Sequence, residues 1–153
     1  MTHRIQRYIE RINANDPTLK KINLKGQLLS DNDLARLIEA LNNNQEAAQR
    51  IRVLDLSCNS IININALINN LTALIELNLS ENNIIEIDVS NLTALLKLDL
   101  YYNEITGHLN LSMLINLKFV NVADNKIESI FVTIQHNLVS TKHCIQKGRR
   151  AIM

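Results

Sequence analysis

Pairs of aliphatic residues separated by one residue recur along this chain, and an amide side chain follows each pair three residues later. Residues 51–61 read Ile-x-x-Leu-x-Leu-x-x-Asn-x-Ile, and closely similar copies begin at residues 74, 95 and 117. An earlier copy begins at residue 19, with Gln27 in the place of Asn. Repeats of this length are typical of solenoids, in which each unit buries its apolar side against its neighbours.

The alternating part of each copy predicts a short strand with one buried face. We expect five such strands to lie side by side, with two inward side chains each. The inward pairs are Ile22 and Leu24, Leu54 and Leu56, Leu77 and Leu79, Leu98 and Leu100, and Val120 and Val122. Behind the strands, the later units are too short for a long helix, so we expect extended chain or short 3₁₀ turns there.

The amide residues stand where each strand ends. A turn packed inside a stack has backbone groups that water does not reach, and an Asn amide can satisfy both donors and acceptors. We therefore predict a structural ladder made of Asn59, Asn82, Asn103 and Asn125. Gln27 has a longer side chain than Asn, which predicts a looser turn in the first unit.

The first unit is longer and contains a helical pattern. Leu34, Leu37, Ile38 and Leu41 fall at positions i, i+3, i+4 and i+7, which is one face of a helix. Ser30 or Asp31 can cap this helix at its N-terminus. The run of Asn at 42–44 predicts its end.

Both ends of the array need covers. Ile5, Tyr8, Ile9 and Ile12 predict a helix over residues 2–13 that covers the first strand, and Asp16-Pro17 breaks it. Residues 133–147 predict a second capping helix with Ile134, Leu138 and Ile145 inward; alternatively, the chain is part of a longer array. We thus expect one domain, with an N-terminal cap (1–18), five repeats (19–132) and a C-terminal cap or tail (133–153).

These repeats resemble those of the leucine-rich-repeat family over about residues 19–127. The resemblance implies an α/β solenoid, a right-handed superhelix with a parallel sheet on its concave face and helical caps at the ends. The first unit is similar to the helix-bearing repeats of the ribonuclease-inhibitor type. One long repeat followed by short ones, in an Asn- and Ile-rich chain, looks like the effectors of intracellular bacterial pathogens. An AT-rich genome would give the same composition.

Charge is distributed unevenly along the 153 residues, although the net charge is only +1. Residues 31–125 carry twelve acidic and five basic side chains, whereas both ends are basic. Because phosphate contacts need Lys and Arg, this distribution argues against nucleic acid lying along the body of the domain. The basic ends either contact an anionic partner or are simply solvated, and solvation is the ordinary outcome.

Two distant cysteines, Cys58 and Cys144, do not make a disulfide framework and suit a reducing compartment. The N-terminus lacks an apolar run of signal-peptide length, and no stretch has the length of a membrane span. We expect a protein that stays in the cytoplasm or is delivered into a host cell by a specialised secretion system, with no membrane partner.

Catalytic and cofactor motifs are not apparent in the sequence. The four histidines show no metal-ligand spacing, and the three glycines form no phosphate-binding loop. His143 and Cys144 are adjacent, and adjacent side chains rarely face each other as a nucleophile and its base. We therefore predict no enzyme activity, no metal and no cofactor.

The residues between the inward aliphatic ones face outward and form columns across the sheet. The predicted partner-binding residues are Glu76, Asn78, Lys97, Asp99, Tyr101, Tyr102, Phe119 and Asn121. Three of these are aromatic, the residue class enriched among interface anchors. Structural roles remain open: the two tyrosines as cover for the turn edge, the Asn/Asp column as part of the turns, and Glu76 with Lys97 as an ion pair.

The function that these features favour is a non-catalytic module that binds one protein partner on the concave face, as a monomer. The resemblance to bacterial effectors implies that this partner is a host protein. Two alternatives remain: a structural or regulatory arm of a larger assembly, or the targeting arm or fragment of an enzyme such as a leucine-rich-repeat ubiquitin ligase.

Overall fold

The computed structural model describes residues 3–133 and 140–142, and within them the chain winds into a solenoid. Its helices are α1 (His3–Asn13), α2 (Asp31–Asn43), α3 (Gln45–Arg50) and α4 (Asn65–Ile68). Its strands are β1 (Lys21–Asn23), β2 (Val53–Asp55), β3 (Glu76–Asn78), β4 (Lys97–Asp99), β5 (Thr106–Asn110), β6 (Phe119–Asn121), β7 (Lys126–Phe131) and β8 (Ser140–Lys142).

The main sheet contains the predicted strands in the predicted register. Its order is β1-β2-β3-β4-β6-β8, and each adjacent pair is parallel. The central residues of β1, β2, β3, β4 and β6 align with one another across the sheet and are buried. The inward aliphatic residues form one continuous core with those of the turns behind them. The predicted solenoid with a parallel sheet is confirmed.

At the N-terminal end, α1 covers the open edge of the sheet. Ile5, Ile9 and Ile12 are buried, whereas Tyr8 is only partly buried and packs against the core. The backbone N–H of Asn23 in β1 donates a hydrogen bond of 3.0 Å to the Tyr8 hydroxyl oxygen. This bond satisfies a donor on the edge strand that no neighbouring strand reaches.

The first unit contains two helices rather than the single one predicted. In α2, the Asp33 carboxylate accepts the backbone N–H of Ser30 at 3.0 Å, and this bond lowers the pKa of Asp33. Asn44 ends α2 and begins α3, since its side-chain oxygen accepts the N–H of Ala47 at 3.0 Å. Ala47 and Ala48 are buried in α3.

Behind the sheet, the later units are formed by short turns and extended chain, as predicted. Leu92 and Leu95 each donate a backbone hydrogen bond to a residue three positions earlier, a 3₁₀-type pattern. The last units also form a second, two-stranded parallel sheet from β5 and β7, with an irregularity between Gly107 and His108. This second sheet was not predicted, because residues 106–110 lack regular apolar alternation.

The predicted C-terminal capping helix is wrong at residues 140–142, which form β8. Val120 of β6 pairs with Thr141, so the sheet continues one strand further. Thr141 lies 21 residues after Val120, the spacing of the preceding repeats. An unpaired β6 edge would expose its backbone groups, and β8 satisfies them. Ile134, Leu138 and Ile145, which we predicted to face inward, lie outside the described residues.

Candidate interaction surface

The outward residues of the main sheet form two columns in register on the concave face, and we count with this face the residues that directly follow each strand, such as Tyr101. Glu76 is the partner of Lys97, which is in turn the partner of Phe119. Two residues along the strands, Asn78 aligns with Asp99, and Asp99 with Asn121. These six predicted binding residues therefore lie on one surface, as the sequence indicated.

The second column also has a structural role. In the five units that contain β1, β2, β3, β4 and β6, its side-chain oxygen accepts a hydrogen bond from the backbone N–H two residues later, which is an Asx turn. The bonds run from Lys25 to Asn23 (3.1 Å), Ser57 to Asp55 (3.0 Å), Ser80 to Asn78 (3.0 Å), Tyr101 to Asp99 (3.0 Å) and Ala123 to Asn121 (3.3 Å). This column ends the strands, and only its remaining polar atoms are available for recognition.

The first column contains an exposed ion pair. Lys97 Nζ lies 3.7 Å from Glu76 Oε2, and both side chains are about half exposed. The pair lines a shallow hollow of about 170 Å³ on the concave face, together with Lys21, Val53 and Phe119 among other residues of both columns. This hollow combines both signs of charge with an aromatic ring.

Tyr101 and Tyr102 are both exposed and pack against each other, with ring centroids 6.0 Å apart. The Asp124 carboxylate accepts the Tyr101 hydroxyl, which raises the pKa of Tyr101. Tyr101 comes two residues after the end of β4, whereas Phe119 pairs with Lys97 at its start, and no ring contact between Phe119 and the tyrosines occurs among the described residues. The aromatic residues thus belong to the same two units but not to one cluster.

A left-handed backbone residue precedes the amide position in each of the five units. The residues and their φ angles are Gly26 (63°), Cys58 (57°), Glu81 (57°), Tyr102 (53°) and Asp124 (54°). The repeat pattern did not predict this conformation, although Gly26 in the first unit is a signal for it. Tyr102, which has this conformation, is 61% exposed.

The predicted Asn ladder is present in Asn59, Asn82, Asn103 and Asn125. The amide nitrogen of Asn82 donates to the carbonyl of Leu56 in the preceding unit (3.0 Å) and to that of Leu79 in its own unit (3.1 Å). Its oxygen accepts the N–H of Ile61 at 3.1 Å. The ladder joins neighbouring units and so holds the concave face in register. Gln27 instead donates to the Lys25 carbonyl at 3.2 Å within its own turn.

No group of three or more potential metal ligands occurs among the described residues. His108 accepts or donates a bond of 2.7 Å with Ser129, and Cys58 is a free, partly buried thiol. His143 and Cys144 lie outside the described residues. In the part of the chain that the structure describes, no helix has the length and apolarity needed to cross a bilayer.

A basic hollow next to the concave face was not predicted from the sequence. Arg4, Arg7, Tyr8 and Arg11 of α1 line it together with Asn23 of β1, and its volume is about 370 Å³. The apolar spacing of α1 predicted a cap, and it does not specify how the polar side of this helix lies relative to the first strand. The spacing of the three arginines was the available signal.

Comparison with known proteins gives structural neighbours only. No protein-family model and no curated protein sequence matches the chain. The BIR2 ectodomain of Arabidopsis thaliana is similar over 85% of this chain and 71% of its own, with a TM-score of 0.58 and 23% identity. An internalin of Listeria monocytogenes, InlF, is similar over 91% of this chain and 53% of its own, with a TM-score of 0.54 and 18% identity.

A leucine-rich-repeat protein of Leptospira interrogans is 27% identical over 70% of this chain, with a TM-score of 0.51. The chain spans 28% of that protein's length and 26% of the Listeria InlJ domain. These neighbours come from a plant as well as from bacteria, so they share an architecture rather than a biological role. This chain therefore has the fold of the leucine-rich-repeat proteins.

Proposed function

We propose that this chain is a non-catalytic protein-interaction module that binds its partner on the concave face. The observation that carries the proposal is the hollow in which Lys97, Glu76 and Phe119 present charge and an aromatic ring in fixed register. The six strands of the main sheet, about 4.8 Å apart, give a face roughly 24 Å across. That size suits a modest interface of about 800 Å² per partner.

The geometry favours binding over chemistry. The hollow is shallow and open, so it does not exclude water from a reacting group. Its rigid frame, fixed by the Asn ladder and the Asx turns, presents side chains at little conformational cost. Non-catalytic recognition of a folded or extended protein segment is the use that such a surface supports best.

Site-specific photo-crosslinking tests this proposal. A photoreactive amino acid replaces Lys97 on the concave face in one variant and the exposed Asn91 on the back of the solenoid in a matched variant. A captured protein is identified, purified and tested again with both variants. We expect crosslinks from position 97 and not from position 91. Equal crosslinking, or crosslinking from position 91 alone, contradicts the proposal.

We further propose that the chain acts as a monomeric effector on a host protein, made in the cytoplasm and delivered into the host cell. The support is the resemblance described above: one long repeat followed by short ones, and 22 Asn and 21 Ile in 153 residues. A reporter fused to the chain should reach host cells only when the secretion system is intact. Sedimentation should give a mass near 17.4 kDa; a dimer mass contradicts the monomer.

A further inference from the structure

The outer side of α1 carries arginines that no described group neutralises. Arg4 and Arg7 are exposed and form no ion pair within residues 3–133. They are three residues apart and therefore project from the same side of the helix. Arg11, one turn further, differs because its guanidinium is held by Asp16 at 2.7 Å. The hollow beside α1 is thus lined by two arginines without an ion pair among the described residues and by a third that Asp16 holds in place.

Tyr8 adds a hydrogen-bond donor to this hollow. Its hydroxyl oxygen already accepts the N–H of Asn23 at 3.0 Å. A tyrosine hydroxyl has one hydrogen to donate, and among the described residues Tyr8 donates it to no hydrogen bond. A ligand in the hollow therefore meets guanidinium groups and one O–H donor, which is a combination suited to a carboxylate.

The basic hollow is continuous with the concave face. Asn23 lines it, and Lys21, two residues earlier on β1, lines the hollow of the concave face. Lys25, just after β1, is also exposed. Alternate residues of a strand are about 7 Å apart, so these cations follow the path of an extended chain. The sign of the charge changes at Asp55, the partner of Asn23 in β2.

We propose that this hollow is a subsite for an acidic, extended polypeptide segment, whose carboxylates pair with Arg4 and Arg7 and bond to the Tyr8 hydroxyl. The inference rests on the proposed function, because the segment belongs to the same partner that covers the concave face. A peptide is favoured over nucleic acid or a membrane, since residues 31–125 carry twelve acidic and five basic side chains and repel a larger polyanion.

Fluorescence anisotropy with a defined probe tests the subsite on the full chain. The probe is a labelled peptide of eight residues with Glu at alternate positions and Ser between them; a matched peptide has Gln in place of Glu. We expect the Glu peptide to bind and the Gln peptide not to bind. The double variant Arg4→Gln/Arg7→Gln should weaken binding by about tenfold or more, since two charge-assisted contacts are lost.

A control variant, Lys118→Gln/Lys126→Gln, removes two other exposed positive charges, of which Lys126 pairs with Glu104. It should leave binding of the Glu peptide within about twofold. Equal weakening by both variants, equal binding of both peptides, or tighter binding of a single-stranded oligonucleotide or of phosphatidylserine vesicles would overturn the subsite. Because both arginines are exposed, we expect unchanged circular dichroism melts.

The same assay separates this inference from the proposed function. The variant Tyr101→Ala/Phe119→Ala changes the concave face alone and should leave the Glu peptide bound. If the subsite binds the peptide but concave-face variants bind the partner normally, the proposed function fails. If partner binding depends on the concave face but the peptide does not bind, the subsite fails.

Discussion

Asn82 donates a side-chain hydrogen bond of 3.0 Å to the carbonyl of Leu56, which is in the preceding repeat. The Asn82 side chain is 6% exposed, so water does not replace this bond. Since strands of only three residues form few ladder hydrogen bonds, such bridges fix one repeat against the next. The register of the concave face depends on them.

Replacing Asn82 with alanine should therefore destabilise the protein strongly. The change leaves the N–H of Ile61 without an acceptor in a buried turn, whereas the Leu56 carbonyl keeps the Asn59 amide as its donor at 2.8 Å. We expect the free energy of unfolding to fall by about 1–3 kcal/mol, the cost of one unsatisfied buried group. Urea denaturation measures it. Asn83→Ala, at the exposed neighbour, is the control, and equal losses for the two variants contradict the ladder.

A substitution at Glu81, the left-handed residue next to Asn82, should not destabilise the protein. Glu81 has φ 57°, a conformation that costs a non-glycine residue about 1–2 kcal/mol. Glu81→Gly should therefore leave stability unchanged or raise it by about 0.5 kcal/mol, despite the entropy of glycine. Thermal denaturation of this variant is compared with Glu86→Gly, at an exposed position without positive φ. Destabilisation of both to the same extent would refute the assigned backbone.

Acid should weaken the N-terminal cap through Asp16. Hydrogen bonds from Thr18 and Arg11 lower the pKa of Asp16 from 3.8 to about 2. Because the folded form has the lower pKa, Asp16 contributes stability above about pH 4, and this contribution is lost as the pH falls toward 2. Melting temperatures measured from pH 6 to pH 2 should fall less for Asp16→Asn than for the wild type. Glu39→Gln, at an exposed position of α2, should follow the wild-type curve.

The pair formed by Glu76 and Lys97 should contribute little to stability. Both side chains are about half exposed and their charged atoms are 3.7 Å apart. A double-mutant cycle with Glu76→Gln and Lys97→Met should give a coupling of about 0–0.5 kcal/mol that decreases with salt. Weak coupling leaves both charges available to a partner. A coupling above about 2 kcal/mol would indicate a structural pair instead.

The sequence predicted those parts of the fold that repeat. The inward aliphatic residues and the four Asn residues recur at fixed spacing, so each copy strengthened the interpretation of the others. Elements that occur only once were harder to predict from the sequence. The pattern did not predict α3, because the Asn run at 42–44 indicates the end of α2 and Asn44 also begins α3. The β8 strand was missed because Thr141 is polar where other repeats have an aliphatic residue.

The candidate site was predictable only as columns along the strands. Register placed Glu76, Lys97 and Phe119 together, because a parallel sheet follows directly from the repeat. The basic hollow was not predictable in this way, since it joins Arg4 and Asn23 from two elements whose packing the pattern does not specify. The separation of Phe119 from the tyrosines also depends on the turn geometry, which the pattern leaves open.

The central claim is that a protein partner docks on the concave face, and the affinity of that partner for two matched double variants tests it most directly. Tyr101→Ala/Phe119→Ala removes aromatic rings from the concave face, whereas Met113→Ala/Ile115→Ala removes exposed apolar side chains from the back of the solenoid. Calorimetry should show binding weakened at least about tenfold for the first variant and within about twofold for the second. Weakening by the second variant, with the first binding normally, would contradict the account.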